Sequence, residues 1–404
     1  MNDEGGIGSN QAWQEPSVTP PVPPPVAMPA PQPPSMDNAF SLPSHFEMAN
    51  VVPPSEHQNP EPDPTPSGPA QPATFDVISV GDIVTDAFIK LLDNEAQTYE
   101  NEHGKWLAMQ FGTKLPFDFD QIIPGVGNAS NAAVAFARLG LKSSFVTNIG
   151  GDQNGRDMIA ALTRNGVDHR FVHVNPDKKS NYHYVLWYKE ERTILIKHEE
   201  YDYHWPHLRP TEMPKWLYFS SISEHAIAHY HDEIADWLDQ HPEVNMAFQP
   251  GTFQMEAGAE RLKRIYQHSK ILILNREEAV IVGHGNHEDM NDLFAKLHEL
   301  GPKIVVITDG PQGAYASDGQ TKWKMPLYPD PAPPYDRTGA GDAFASTFVA
   351  ALIKGNTIEG ALQWAPINSM SVVQKVGAQE GLLTEAQLND WLRKAPDWYK
   401  PERI

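Results

Sequence analysis

Apolar runs begin abruptly at Phe75. The stretch Phe75-Asp76-Val77-Ile78-Ser79-Val80 has the β-branched and aromatic content of a strand and is closed by Gly81. From there, strand-like runs alternate with segments of helical period. Strands are predicted over 144–149, 171–174, 216–220, 244–248, 271–274 and 304–308, and helices over 131–139, 156–165, 226–238, 257–267, 290–300 and 340–353. Strands separated by helices at these spacings predict an α/β fold, a mainly parallel sheet with helices on both faces. One segment departs from the rhythm. Tyr182 to Tyr188, a turn at Lys189-Glu190-Glu191, and Arg192 to Lys197 read as a hairpin inserted at about residues 180–200. Its strands carry apolar or aromatic side chains on both faces, so each face needs cover. The expected role is a lid that closes on substrate, or on a twin lid in a homodimer.

The first 74 residues are different in kind. They hold roughly half of the 37 prolines, no Lys or Arg, and few aliphatics beyond scattered valines. That is too little apolar surface to offset chain entropy, so the segment is expected to be a disordered, Pro-rich acidic tail. Its run Pro21-Val22-Pro23-Pro24-Pro25 favours polyproline II, as a spacer or a ligand for an aromatic groove. The folded domain is expected over 75–396, with 397–404 as a C-terminal tail.

Composition narrows the classes. With 404 residues, 40% of them hydrophobic, a sizeable core can form. Without cysteine there is no disulfide, thiolate nucleophile or cysteine-held metal. A net charge of -21, from 31 basic and 52 acidic residues, argues against a nucleic-acid surface. Any bound phosphate must therefore be met by local donors rather than by the overall field. Met1 to Ser17 has no basic n-region and no apolar h-region, and no later stretch approaches the roughly 20 apolar residues of a membrane span. A cytoplasmic protein with no membrane partner is expected.

The sharpest chemical signal is Asp336-Arg337-Thr338-Gly339-Ala340-Gly341-Asp342-Ala343-Phe344, which follows a proline-rich loop and opens a long helix. Small residues let the backbone turn tightly, and the amides of Gly339, Ala340 and Gly341 then sit at a helix N-terminus, where an anion is favoured. Asp342 falls in the first turn, able to serve as a base or simply to cap the helix. A second glycine cluster, Pro124-Gly125-Val126-Gly127-Asn128-Ala129-Ser130-Asn131, leads into another helix. Its Gly125-x-Gly127-x-x-Ser130 spacing, with Asp152 after the next strand, also mimics a dinucleotide fingerprint and so an NAD-binding oxidoreductase. His225, His229 and His231 have spacings that can bind zinc, but with no partner carboxylate in such a motif they read as surface histidines. No P-loop lysine motif occurs.

The stretch ending at Asp342 resembles the second signature of the PfkB (ribokinase-like) carbohydrate kinases, whose pattern is Asp-Thr-x-Gly-Ala-Gly-Asp. The cluster at Gly125 to Asn131, with Gly150-Gly151-Asp152 beyond, resembles the first. The resemblance covers about residues 75–390 and implies a three-layer αβα fold with a small β lid, moving the γ-phosphoryl group of ATP to a sugar hydroxyl. It implies Asp342 as general base, the amides of Gly339, Ala340 and Gly341 as anion hole, and Asp86, Gly127 and Asn131 on substrate hydroxyls. It implies that Asn275 and Glu278 organise Mg²⁺ through water, and that Thr308, Gly310 and Gly313 form a loop over the ATP phosphates. Asp336, with a turn at Gly377-Ala378, matches a site for a monovalent cation, usually K⁺. The stretch 368–381 resembles the helix and loop beside adenine; Pro366 stands where many members have an adenine-contacting Asn. The acceptor is expected to be a sugar, with a nucleoside as the alternative.

Overall fold

The computed structural model describes residues 75–102, 104–189 and 191–404; the expected Pro-rich tail lies outside the described residues. Ten strands form the main sheet, and Phe75–Val80 lies inside it, flanked in parallel by Pro214–Phe219 and Ser143–Gly150. Parallel pairing continues outward through Asn245–Phe248 and Ser269–Asn275 to Ile304–Thr308. Beyond that, Ala314–Ser317 and Lys322–Met325 add antiparallel strands.

The apolar runs are explained by cover on both sides. Along Ser269–Asn275, Leu272 and Leu274 join a core with Ile234, Tyr266 and Phe294, while Ile271 and Ile273 join another with Phe136, Phe348 and Leu362. A strand buried on both faces needs no polar alternation. Helices Tyr230–Gln240 and Met290–Glu299 thus pack on one face, and Asn128–Arg138, Ala340–Ile353 and Ile358–Val372 on the other.

The lid is larger than the expected hairpin. Tyr182–Tyr188 and Glu191–Leu195 do pair antiparallel, but Val84–Leu91 and Phe117–Val126 complete a four-stranded sheet in the order 117–126, 84–91, 182–188, 191–195. A separate hairpin, Ala96–Asn101 with Gly104–Met109, extends from it. Two further expectations change. The helix predicted at 257–267 is two short ones, Thr252–Ala257 and Lys263–His268, broken by Gly258 in the left-handed region (φ 83°). Residues 397–404, read as a tail, are anchored by buried Tyr399 and by Glu402–Arg403, which pairs with Lys322–Met325.

Candidate active site

Between the lid and the carboxyl ends of the parallel strands lies a cleft of about 580 Å³. The lid presents alternate residues to it: Val84 and Asp86 from one strand, His183 from the next, and Arg192, Ile194 and Ile196 from the edge. That is the period of two that a β-sheet face imposes. The floor holds Gly127, Asn128, Asn131, Thr338, Gly339, Gly341 and Asp342, and one side holds Asn275, Glu278 and Thr308.

Helix Ala340–Ile353 begins as expected. Gly339 is the N-cap, in the left-handed region at φ 77°, and a Cβ there would stand 2.3 Å from that of Ala378. Only glycine satisfies both constraints. Gly341 is glycine for another reason: a Cβ there would meet nothing within 4 Å, so its bare face leaves the cleft floor open. The Ala340 amide makes a long bond to the Arg337 carbonyl, 3.4 Å, and among the described residues no acceptor takes the Gly341 amide. Free first-turn amides at a positive helix end make an anion site.

Asp342 is buried in the floor beside these amides. Its Oδ2 accepts from Asn131 Nδ2 at 2.8 Å, and its Oδ1 from Asn128 Nδ2 at 3.0 Å and Gln249 Nε2 at 3.2 Å. A carboxylate offers about four acceptor positions, so three donors leave room for one more. Burial raises the Asp342 pKa above the usual carboxylate value, while the Asn131, Gln249 and Asn128 amides oppose that rise. Neutral donors thus hold the group in place without a cation that would quench its basicity.

Asn131, expected on substrate hydroxyls, turns to the base instead, and its Oδ1 accepts from Gln379. Gly127 lines the cleft at φ 112°, where a Cβ would stand 3.0 Å from the Asp82 carbonyl. Asp86, expected on substrate hydroxyls, is on the lid strand Val84–Leu91, with its Oδ1 3.4 Å from His183 Nδ1. Among the described residues neither Asp86 Oδ1 nor His183 Nε2 has a hydrogen-bond partner, although both are buried. Buried polar atoms of this kind call for a ligand.

Asn275 and Glu278 form a reciprocal cap, each side chain accepting the other's amide. Burial, with the nearby Asp342 and Glu277 charges, raises the Glu278 pKa. An acidic group under that repulsion, with hard oxygen donors on an open cleft, fits a hydrated divalent cation. Thr308 lines the cleft, while Gly310 and Gly313 shape the turn behind it. Gly313 is at φ 94°, and its Cβ would be 2.1 Å from the Met325 carbonyl. Arg276 ties this loop to the Asn275 cap by a 2.6 Å ion pair with Asp309. Pro366 lies inside helix Ile358–Val372, and Asn368 is fully buried, bonded to Thr347 and the Leu383 amide.

Two other expectations fail. Gly125 lies near the end of the antiparallel lid strand Phe117–Val126 and Gly127 directly follows it, rather than a strand of the parallel sheet, so no dinucleotide fold surrounds them; Asp152 caps the next helix and bonds Ser180. Of the histidines read as surface groups, His225 is exposed and His229 half-buried, but His231 is not at the surface. His231 is buried against Phe219 and bonded to Ala226 and Gln254, whereas His229 bonds the Tyr203 carbonyl. Sequence reasoning missed Asn128, Gln249, His183 and Arg192. Gln249 had a signal, since it directly follows a parallel strand, where α/β sheets place ligands.

A parallel sheet between two helical layers, a β lid and a carboxylate at a glycine-rich helix start define a phosphotransferase of ribokinase-like fold. The profile described as "pfkB family carbohydrate kinase" matches residues 124–385, and the chain belongs to that family. It is 29% identical to a Bacillus subtilis (strain 168) ribokinase over 67% of this chain and 88% of the relative. To a 5-dehydro-2-deoxygluconokinase of the same organism it is 27% identical, over 65% of this chain and 84% of the relative. In fold it is similar to Arabidopsis thaliana ribokinase complexed with ribose and ATP (TM-score 0.64, 18% identity, covering 79% and 99% of the two chains). A Methanocaldococcus jannaschii nucleoside kinase is comparable (TM-score 0.62, 16% identity, 80% and 98%). No described helix is long and apolar enough to cross a membrane.

Proposed function

We propose that this chain transfers the γ-phosphoryl group of ATP to a hydroxyl of a small sugar, with Asp342 as general base. The acceptor hydroxyl gives its proton to the open position on the Asp342 carboxylate. Its oxygen bonds to the γ-phosphorus as the bond from phosphorus to the β–γ bridging oxygen breaks, and ADP leaves. The amides at Gly339 to Gly341 meet the charge on the transferring group, and Asp86 with His183 holds further acceptor hydroxyls. Asn275 and Glu278 would hold hydrated Mg²⁺, which supplies charge neutralisation at the phosphates. The Thr308 to Gly313 turn lies over those phosphates.

One observation carries the reading. The Asp342 carboxylate and the unpartnered Gly341 amide share one helical turn at the floor of one cleft, so base and anion site face the same point. A nucleoside is the second acceptor class, favoured by the apolar wall of Ile194, Ile196 and Phe253. Exposed Tyr184, Ile122, Phe117 and Leu195 on the lid support a lid-to-lid homodimer. An ATP-consumption screen across pentoses, hexoses, sugar acids and nucleosides tests the function. Turnover with one class is expected; no acceptor-dependent ADP with any would refute it.

A further inference from the structure

An ion pair with a buried carboxylate joins the lid to the loop ahead of the catalytic helix. Arg192, on the edge strand Glu191–Leu195, donates from Nη1 to Asp336 Oδ1 at 2.6 Å. The Asp336 side chain is only 2% exposed. A carboxylate so buried is costly unless it is paired and hydrogen-bonded. Here it is both. Oδ1 also accepts from the Thr338 amide at 2.9 Å and the Thr338 hydroxyl at 2.6 Å, and Oδ2 accepts from the Gly377 amide at 2.8 Å.

Those donors decide whether the expected cation fits. A carboxylate has about two acceptor positions on each oxygen; Arg192 Nη1 and the two Thr338 groups crowd Oδ1, while Oδ2 takes the Gly377 amide alone. The counter-charge is already present as a guanidinium. A monovalent cation on Oδ1 would have to displace the guanidinium, and one on the open side of Oδ2 would share a single buried carboxylate with that charge, so the residues present do not fit K⁺ at this carboxylate.

We propose that Arg192 takes the place of the monovalent cation at Asp336, so that the lid itself supplies the charge that orders the phosphate site. The proposal rests on the kinase reading and adds a positioning residue to it. Asp336 opens the turn that runs through Thr338 to the left-handed Gly339 and then to the Gly341 amide and Asp342. Seating the lid brings Arg192 onto Asp336 and sets that turn; lifting it withdraws the charge. The anion site is then complete only when the acceptor is enclosed, which disfavours transfer to water.

The seam around the ion pair is apolar and independent of it. Trp187, on the neighbouring lid strand, packs edge-on to Tyr335 at 5.4 Å and shares a cluster with Phe88, Val185, Ile123 and Val376. Ile123 approaches so near Gly377 that a Cβ there would stand 2.5 Å from it. Replacing Arg192 therefore leaves the lid something to rest on.

The test uses the full chain in KCl and in choline chloride, with two readouts: hydrogen exchange of peptides covering 335–342, and phosphotransfer to the best acceptor. Wild type is expected to show the same protection and the same rate in both salts. Arg192→Gln should exchange faster over 335–342 and lose roughly 10- to 100-fold in kcat, the scale on which displaced catalytic groups lose rate. Arg192→Lys, which keeps the charge, should retain most of both. Wild-type protection and turnover that need KCl, or Arg192→Gln as protected and as active as wild type, would overturn the proposal. Should no acceptor be phosphorylated by any form, the kinase reading fails, and the exchange data alone decide the latch.

Discussion

Asn131 Nδ2 stands 2.8 Å from Asp342 Oδ2, joining two glycine-rich motifs that lie 211 residues apart in the chain. The second end of Asn131 is held by Gln379, so the amide is fixed with its donor side toward the carboxylate. First signature and second signature are therefore one device: the helix start at Asn128 orients the base presented by the helix start at Gly339.

That contact gives a pH prediction. The Asp342 pKa is raised by burial and held down in part by Asn131, Gln249 and Asn128. Asp342 must be ionised to accept a proton, so kcat is expected to fall as pH drops through a pKa above the ordinary carboxylate value. Asn131→Ala removes one of the opposing donors and should move this acid limb to higher pH, with kcat near neutrality down roughly tenfold. An unchanged limb in the pH profile of kcat would mean that Asn131 does not act on the base.

The two glycines of the anion site separate stability from function. Gly339→Ala meets Ala378 and a positive φ together, and should destabilise by about 2 kcal/mol or more in denaturant melts. Gly341→Ala meets nothing in the protein and sits in a helix, so stability should hold or rise slightly. Its methyl would stand where the phosphoryl group must approach, and kcat/KM for ATP should fall roughly tenfold or more. Equal melting and equal kinetics for the two variants would contradict this division.

Much of this was legible in the sequence because it is local. Helix Ala340–Ile353 and strand Ile304–Thr308 match their predicted spans, since turn chemistry and apolar period set both ends without distant help. The cleft likewise gathers Asp86, Gly127, Asn131, Asn275, Glu278, Thr308 and Asp342. What escaped is what depends on pairing between remote segments. The strands Val84–Leu91 and Phe117–Val126 show mixed polar and apolar positions, and only their partners make them a lid. Asn128 and Gln249 carry no signature of their own; they gain a role because the fold places their amides on Asp342. Arg192 read as an ordinary hairpin residue until Asp336 stood beneath it.

A buried histidine makes stability pH-dependent away from the cleft. Burial beside Phe219 pushes the His231 pKa from 6.5 down to about 4. The unfolded chain then binds a proton that the folded one refuses, so stability present above pH 6.5 is lost as pH falls from there toward 4. The loss should be on the order of 2 to 3 kcal/mol across that window. His231→Gln should flatten it; chemical denaturation at a series of pH values measures the difference, and an equally steep fall in the variant would count against the assignment.

The central claim is that Asp342 takes the proton of the acceptor hydroxyl, and turnover by Asp342→Asn tests it most directly. The substitution keeps the shape of the side chain and removes its basicity, so kcat should fall roughly 10²-fold or more, while ATP affinity measured by titration stays close to wild type. Turnover within a few-fold of wild type would contradict the claim.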